Sequence, residues 1–130
     1  MYTHAPMPKI SIVIDVPDVV VATAFYCDAL GCSLVKEQDS HNTLSADGVT
    51  VHLSAKQAGT AATAQGAAVR SYERHWTPVH LDFDVPDIDV AIEQVRRLGG
   101  SVEGTKRGDW GAAAFCADPF GNGFCLLALR

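Results

Sequence analysis

Asp15-Val16-Pro17-Asp18 and Asp84-Val85-Pro86-Asp87 are the same four residues, written twice and 69 positions apart (84 − 15 = 69). Each copy follows a short apolar run and opens an apolar, helix-like stretch that ends in glycine. At the same spacing Ile12 falls on Leu81, Ile14 on Phe83, Val21 on Val90 and Ala22 on Ala91. Leu30-Gly31 matches Leu98-Gly99 at a spacing of 68 (98 − 30 = 68), so the first helix carries one extra residue. Two copies are too few for a stacked array. They describe two half-domains fused into one, with a cleft expected between them.

The flanks of each tetrapeptide repeat the same order. Residues 8–16 alternate around Ile10, Ile12, Ile14 and Val16, the period of a strand with one packed face. Pro17 suits a helix start and Asp18 can cap it. The helix carries Val21, Ala24, Phe25, Ala29 and Leu30 on one stripe and stops at Gly31. Strands are expected at about 32–38, 42–46 and 49–55, with Asp47-Gly48 as a tight turn. In the second half, residues 77–85 alternate, Pro86 to Leu98 form a helix, and strands follow at about 101–106, 111–117 and 123–129. The fold class is α+β: two tandem β-α-β-β-β modules in one domain, 1–130. Module one covers about 8–56, a connecting loop about 57–76, and module two about 77–130. Residues 56–72 turn to Ala, Gly, Thr and Gln, and read as a loop or a short Ala-rich helix that can act as a lid.

Composition narrows the partners. A chain of 130 residues, 48% hydrophobic and 19% charged, is long enough to bury one core. A net charge of −5 with scattered basic residues argues against nucleic acid and anionic membrane as partners. There is no signal-peptide pattern and no apolar run near the ~20 residues that span a bilayer, so a cytoplasmic setting is expected. Cys27, Cys32, Cys116 and Cys125 fit that reduced setting. Cys116 and Cys125 flank the turn Asp118–Gly123 and can face each other across a hairpin, or be two small buried hydrophobes. Gly-rich phosphate loops are absent.

Three passages carry a family resemblance. They are Asp15–Asp18 leading to Phe25-Tyr26-Cys27-Asp28-Ala29-Leu30-Gly31, then Val79–Asp87, then Asp118-Pro119-Phe120-Gly121-Asn122-Gly123-Phe124-Cys125-Leu126. In this order they resemble the vicinal oxygen chelate superfamily of glyoxalases, bleomycin-resistance proteins and extradiol dioxygenases. The resemblance implies curved mixed sheets enclosing a cleft, and a homodimer in which N-terminal segments such as Met1–Met7, with Tyr2 and His4, exchange. In metal-dependent members, ligands from the first and last strands of each module hold a divalent metal. Carried over, those positions are Ser11, His52, His80 and Cys125.

Strand alternation supports the same set. With Ile10, Ile12 and Ile14 packed, Ser11 and Val13 point away. With Val79, Leu81 and Phe83 packed, His80 and Asp82 face the cleft. His52 and Cys125 follow by the same rule. The four are therefore expected to converge. The quartet has no carboxylate, and Ser is a poor ligand, so no metal is favoured; if one binds, His52, His80 and Cys125 hold it. Trp76, Trp110 and Phe120 are expected stacking surfaces, and Glu73-Arg74-His75-Trp76 a gate or a solvated loop. His41 is expected in an exposed turn.

Two functions remain open. One is a metal-independent small-molecule-binding protein of the bleomycin-resistance type, anchoring its ligand through Ser11, His52 and His80 with Cys125 as a small apolar wall residue, and acting in antibiotic resistance by sequestration. The other is a divalent-metal lyase or isomerase of glyoxalase type using His52 and His80. A domain that only makes protein contacts is a third possibility.

Overall fold

The computed structural model describes residues 6–130; Tyr2 and His4 of the expected exchange arm lie outside them. Module one runs β1 (Ser11–Val16), α1 (Val19–Ala24), a π-helical turn (Phe25–Ala29), β2 (Ser33–Lys36), β3 (His41–Ala46) and β4 (Val49–Ala55). Module two runs β5 (Leu81–Asp84), α2 (Ile88–Arg97), β6 (Ser101–Gly108), β7 (Gly111–Ala117) and β8 (Gly123–Leu129). Each module forms one mixed sheet, ordered β1-β4-β3-β2 and β5-β8-β7-β6. The first strand pairs parallel with the last in both, and the other pairings are antiparallel. The two sheets do not close into a barrel, and β1 and β5 are both edge strands.

The repeated tetrapeptide is a capping device. Asp18 Oδ1 accepts from the backbone N–H of Val20 and Val21 at 3.0 and 3.1 Å, and Asp87 Oδ1 from Asp89 and Val90 at 3.0 and 3.2 Å. The caps adopt nearly the same backbone, φ −137 and −139. Each satisfies two amides with no partner inside the helix, worth about 1 kcal/mol. Pro17 and Pro86 stand just before the cap rather than inside the helix.

The extra residue of the first helix is absorbed locally. From Phe25 the α-helix opens into a π turn, whereas α2 runs α-helical throughout. A one-residue insertion held in a single π turn keeps both ends of the helix where the unmodified copy has them. The turn buries Phe25 and Tyr26 in the core, with Phe25 edge-on to Phe124 at 5.9 Å. Leu44, Leu53, Val95 and Leu126 complete the centre.

Several local expectations change. Ile10 and Val79 fall before their strands begin and are 78% and 81% exposed, so alternation extended too far towards each N-terminus. Residues 56–72 hold no helix; the segment is turns with an isolated bridge between Ala61 and Val69. His41 begins β3 and is half-buried instead of sitting in an exposed turn. Cys116 lies opposite Phe124 and Cys125 opposite Phe115, so the two thiols point to opposite faces of the sheet. All four cysteines are free.

Candidate functional site

The connection between modules is a strap laid on the β7–β8 hairpin. His75 N–H donates to Gly121 O at 3.2 Å, and His75 bridges to Asn122. Gly121 has φ +87, and a Cβ there would stand 2.9 Å from Glu73 O. At Gly123 a Cβ would come within 2.8 Å of the Trp76 ring. Both positions need glycine for the strap to lie this close. Further along, Arg74 stacks over Trp76 at 4.5 Å, and both donate to the Glu103 carboxylate. These hydrogen bonds hold Glu103 below the usual carboxylate range. Upstream, Arg70 Nε pairs with Asp15 at 2.7 Å.

Beneath the strap lies a cleft of about 360 Å³ along the seam between β1 and β5. Its walls are mostly apolar, with Ile12, Ile14, Leu81, Phe83 and Phe124 prominent; Tyr72, His75 and His80 bring polar groups. Tyr26 reaches its floor and donates to Asp118 Oδ2 at 2.6 Å. Burial, then the Asp118 charge, pushes the Tyr26 hydroxyl well above its usual pKa, so it remains a donor.

His80 sits at the cleft, one residue before β5. Its Nε2 lies 3.2 Å from Asp82 Oδ1, and the Trp76 ring stands edge-on to it at 5.7 Å. Asp82 is directly opposite Cys125 in the parallel β5–β8 register. Burial raises the Cys125 thiol above its usual pKa, and the neighbouring Asp82 carboxylate raises it further. Among the described residues, His80, Asp82 and Cys125 are the one group whose donor atoms converge, all within 4.8 Å of one another.

The expected quartet is therefore divided. The structure brings His80 and Cys125 together and adds Asp82, while His52 and Ser11 lie on the other sheet. His52 is in β4, with its Nδ1 2.9 Å from His41 Nε2 and 3.5 Å from Thr43 Oγ1. Ser11 opens β1 and is exposed. Trp76 is beside His80. Trp110 lies in the β6–β7 turn, at the opposite end of the hairpin from Cys125, and Phe120 packs near Tyr72 at 6.5 Å. Strand alternation gives Asp82 the same face as His80, yet the ligand positions carried over from the family omit it, and Asp82 is not among the residues lining the cleft. Its two-residue spacing from His80 was the available signal.

The model of the glyoxalase-like domain matches residues 11–127. No curated protein matches the sequence significantly. Among solved structures, the chain is similar to the fosfomycin resistance protein FosX of Listeria monocytogenes, at 16% identity and a TM-score of 0.72, covering 97% of this chain and 96% of that one. The Listeria protein has also been solved with Mn(II) and sulfate. FosX of Mesorhizobium loti gives 16% identity and a TM-score of 0.70, covering 95% and 92% of the two chains. Lactoylglutathione lyase of Agrobacterium tumefaciens gives 18% and 0.63, covering 95% and 96%. These likenesses establish a shared fold, and with the family match across both modules the chain belongs to the glyoxalase-like domain family of the vicinal oxygen chelate superfamily.

Proposed function

We propose that this protein binds a small, largely apolar organic molecule in the cleft between its modules, by a bleomycin-resistance type of sequestration that needs no metal. The observation that carries this reading is the cleft itself. Its volume of about 360 Å³ falls in the range of small-molecule sites, and it combines apolar walls with a few polar groups. Tyr72, His75 and His80 would orient the ligand, with Trp76 packed beside His80. The proposed assembly is a homodimer in which a second copy narrows the cleft; β1 and β5 each have a single strand neighbour in their sheets. Four free thiols suit a cytoplasmic setting, and no helix among the described residues is long and apolar enough to cross a membrane.

The test is a melting-temperature screen with small aromatic and aliphatic compounds, chelator present throughout. Binding to the native state alone raises the melting temperature, by an amount that grows with the logarithm of ligand concentration over Kd. The same compounds should lose their effect on Val79→Trp, which fills the cleft from a side chain outside the packed core. A shift that survives this substitution would place the ligand elsewhere and sink the proposal.

A second reading, a divalent-metal lyase or isomerase, is favoured by the convergence of His80, Asp82 and Cys125. A bound ion would supply Lewis acidity towards a substrate oxygen. His52, engaged with His41 on the other sheet, is not among the residues that would hold it.

A further inference from the structure

We infer that His80, Asp82 and Cys125 form a binding site for one divalent zinc-like ion, built wholly within module two and without His52 or Ser11. The donor set itself argues for this. The family's metal positions fall here on Ser11, His52, His80 and Cys125, and they do not fit a shared ion. Ser11 offers an alcohol, and His52 belongs to a histidine pair on the other sheet. Asp82 makes up the loss. It stands two residues beyond His80, on the same face of the chain, and opposite Cys125 in the strand register. The carboxylate that the closing strand lacks is thus supplied by the opening one.

The spacing is close to what an ion requires. Tetrahedral zinc with N, O and S donors at ~2.0–2.3 Å sets those donors about 3.3–3.8 Å apart. His80 Nε2 and Asp82 Oδ1 are already 3.2 Å apart, and all three donors lie within 4.8 Å, so rotamer adjustments suffice. At 38% and 47% side-chain exposure, His80 and Asp82 leave room for a fourth, exchangeable ligand. On binding, the Cys125 thiol proton leaves for solvent and the sulfur coordinates as thiolate. A thiolate, an imidazole and one carboxylate favour zinc over manganese or magnesium, which prefer all-oxygen or oxygen-rich sets. Of the three ligands only His80 lines the cleft; Asp82 and Cys125 alternate with Leu81, Phe83 and Phe124 and face the other side of the sheet, so the ion would stand past His80 at the cleft's edge. Its role towards a ligand there rests on the proposed binding function, but its presence does not.

Cobalt(II) titration of the metal-free full chain tests this directly, because cobalt bound to thiolate gives a charge-transfer band. One equivalent should produce that band and zinc should abolish it, with a change in the emission of the nearby Trp76. Cys125→Ser should remove the band, and His52→Ala should leave it intact. Asp82→Asn, at an exposed position that does not threaten folding, should weaken binding by more than the ~100-fold that loss of even an outer-sphere partner can cost. A band that persists in Cys125→Ser, or is lost in His52→Ala, would overturn the assignment, as would no stoichiometric binding. Ligand-induced stabilisation measured in chelator is independent of all these outcomes. Failure of the ion site and failure of the binding function therefore give different results.

Discussion

The Tyr26 hydroxyl donates to Asp118 Oδ2 at 2.6 Å, joining residues 92 positions apart across the two modules. Both residues are buried. Tyr26 comes from the π turn that holds the inserted residue, and Asp118 from the start of the closing hairpin. Asp118 also accepts from the N–H groups of Phe120 and Asn122 at 2.8 and 3.0 Å, and from Asn122 Nδ2 at 3.0 Å. One carboxylate thus shapes the turn and fastens it to the other module.

Removing each partner should have unequal effects. Tyr26→Phe leaves Asp118 with three donors and should lower stability by about 1–3 kcal/mol, as for a hydrogen bond to a charged group. Asp118→Ala strands the buried hydroxyl and loosens the turn as well, so its loss in chemical denaturation should be larger. Equal losses would show that the turn does not depend on Asp118.

The strap should come away when glycine does. Gly121→Ala adds a Cβ facing backbone at 2.9 Å in a left-handed conformation, and should cost about 1–3 kcal/mol. Gly123→Ala meets only the Trp76 ring, which can swing outward. That variant should keep most of its stability while Trp76 emission shifts to the red. An unshifted spectrum would mean that Trp76 is not seated on Gly123.

Alkylation of the native protein should follow burial. Cys27 is half-exposed and should react first. Burial pushes Cys32 to about 11 and Cys116 to about 12, so little thiolate exists near neutral pH and both should react only on unfolding. Mass spectrometry of a timed iodoacetamide reaction reads the order. Early modification of Cys116 would contradict the packing of β7.

Acid should release the strap before it unfolds the domain. Glu103 is held below its ordinary range chiefly by Arg74, then by Trp76. A carboxylate lowered in the folded state stabilises it above its unfolded pKa, and this stabilisation is lost as pH falls through the folded value. Trp76 emission should therefore change at acidic pH while far-ultraviolet dichroism remains native. In Glu103→Gln the acid-dependent step should be absent.

Much of the architecture was legible in order and spacing. The duplicated tetrapeptide marked two helix caps, and strands β7 and β8 fall at the expected residues, because capping and strand alternation are local. The single extra residue in the first helix was countable too, although only the folded chain shows that a π turn absorbs it, instead of a longer helix. The site was less legible. His80 and Cys125 meet as their strand phase implied, but Asp82 joins them because β5 runs parallel to β8 in a particular register. His52 carries the same phase and still lies apart, paired with His41, because β4 belongs to the other sheet. Local pattern determined which face each side chain presents. Which faces meet depended on how two separate sheets, a strap and one buried tyrosine pack together, and those are contacts between residues far apart in the chain.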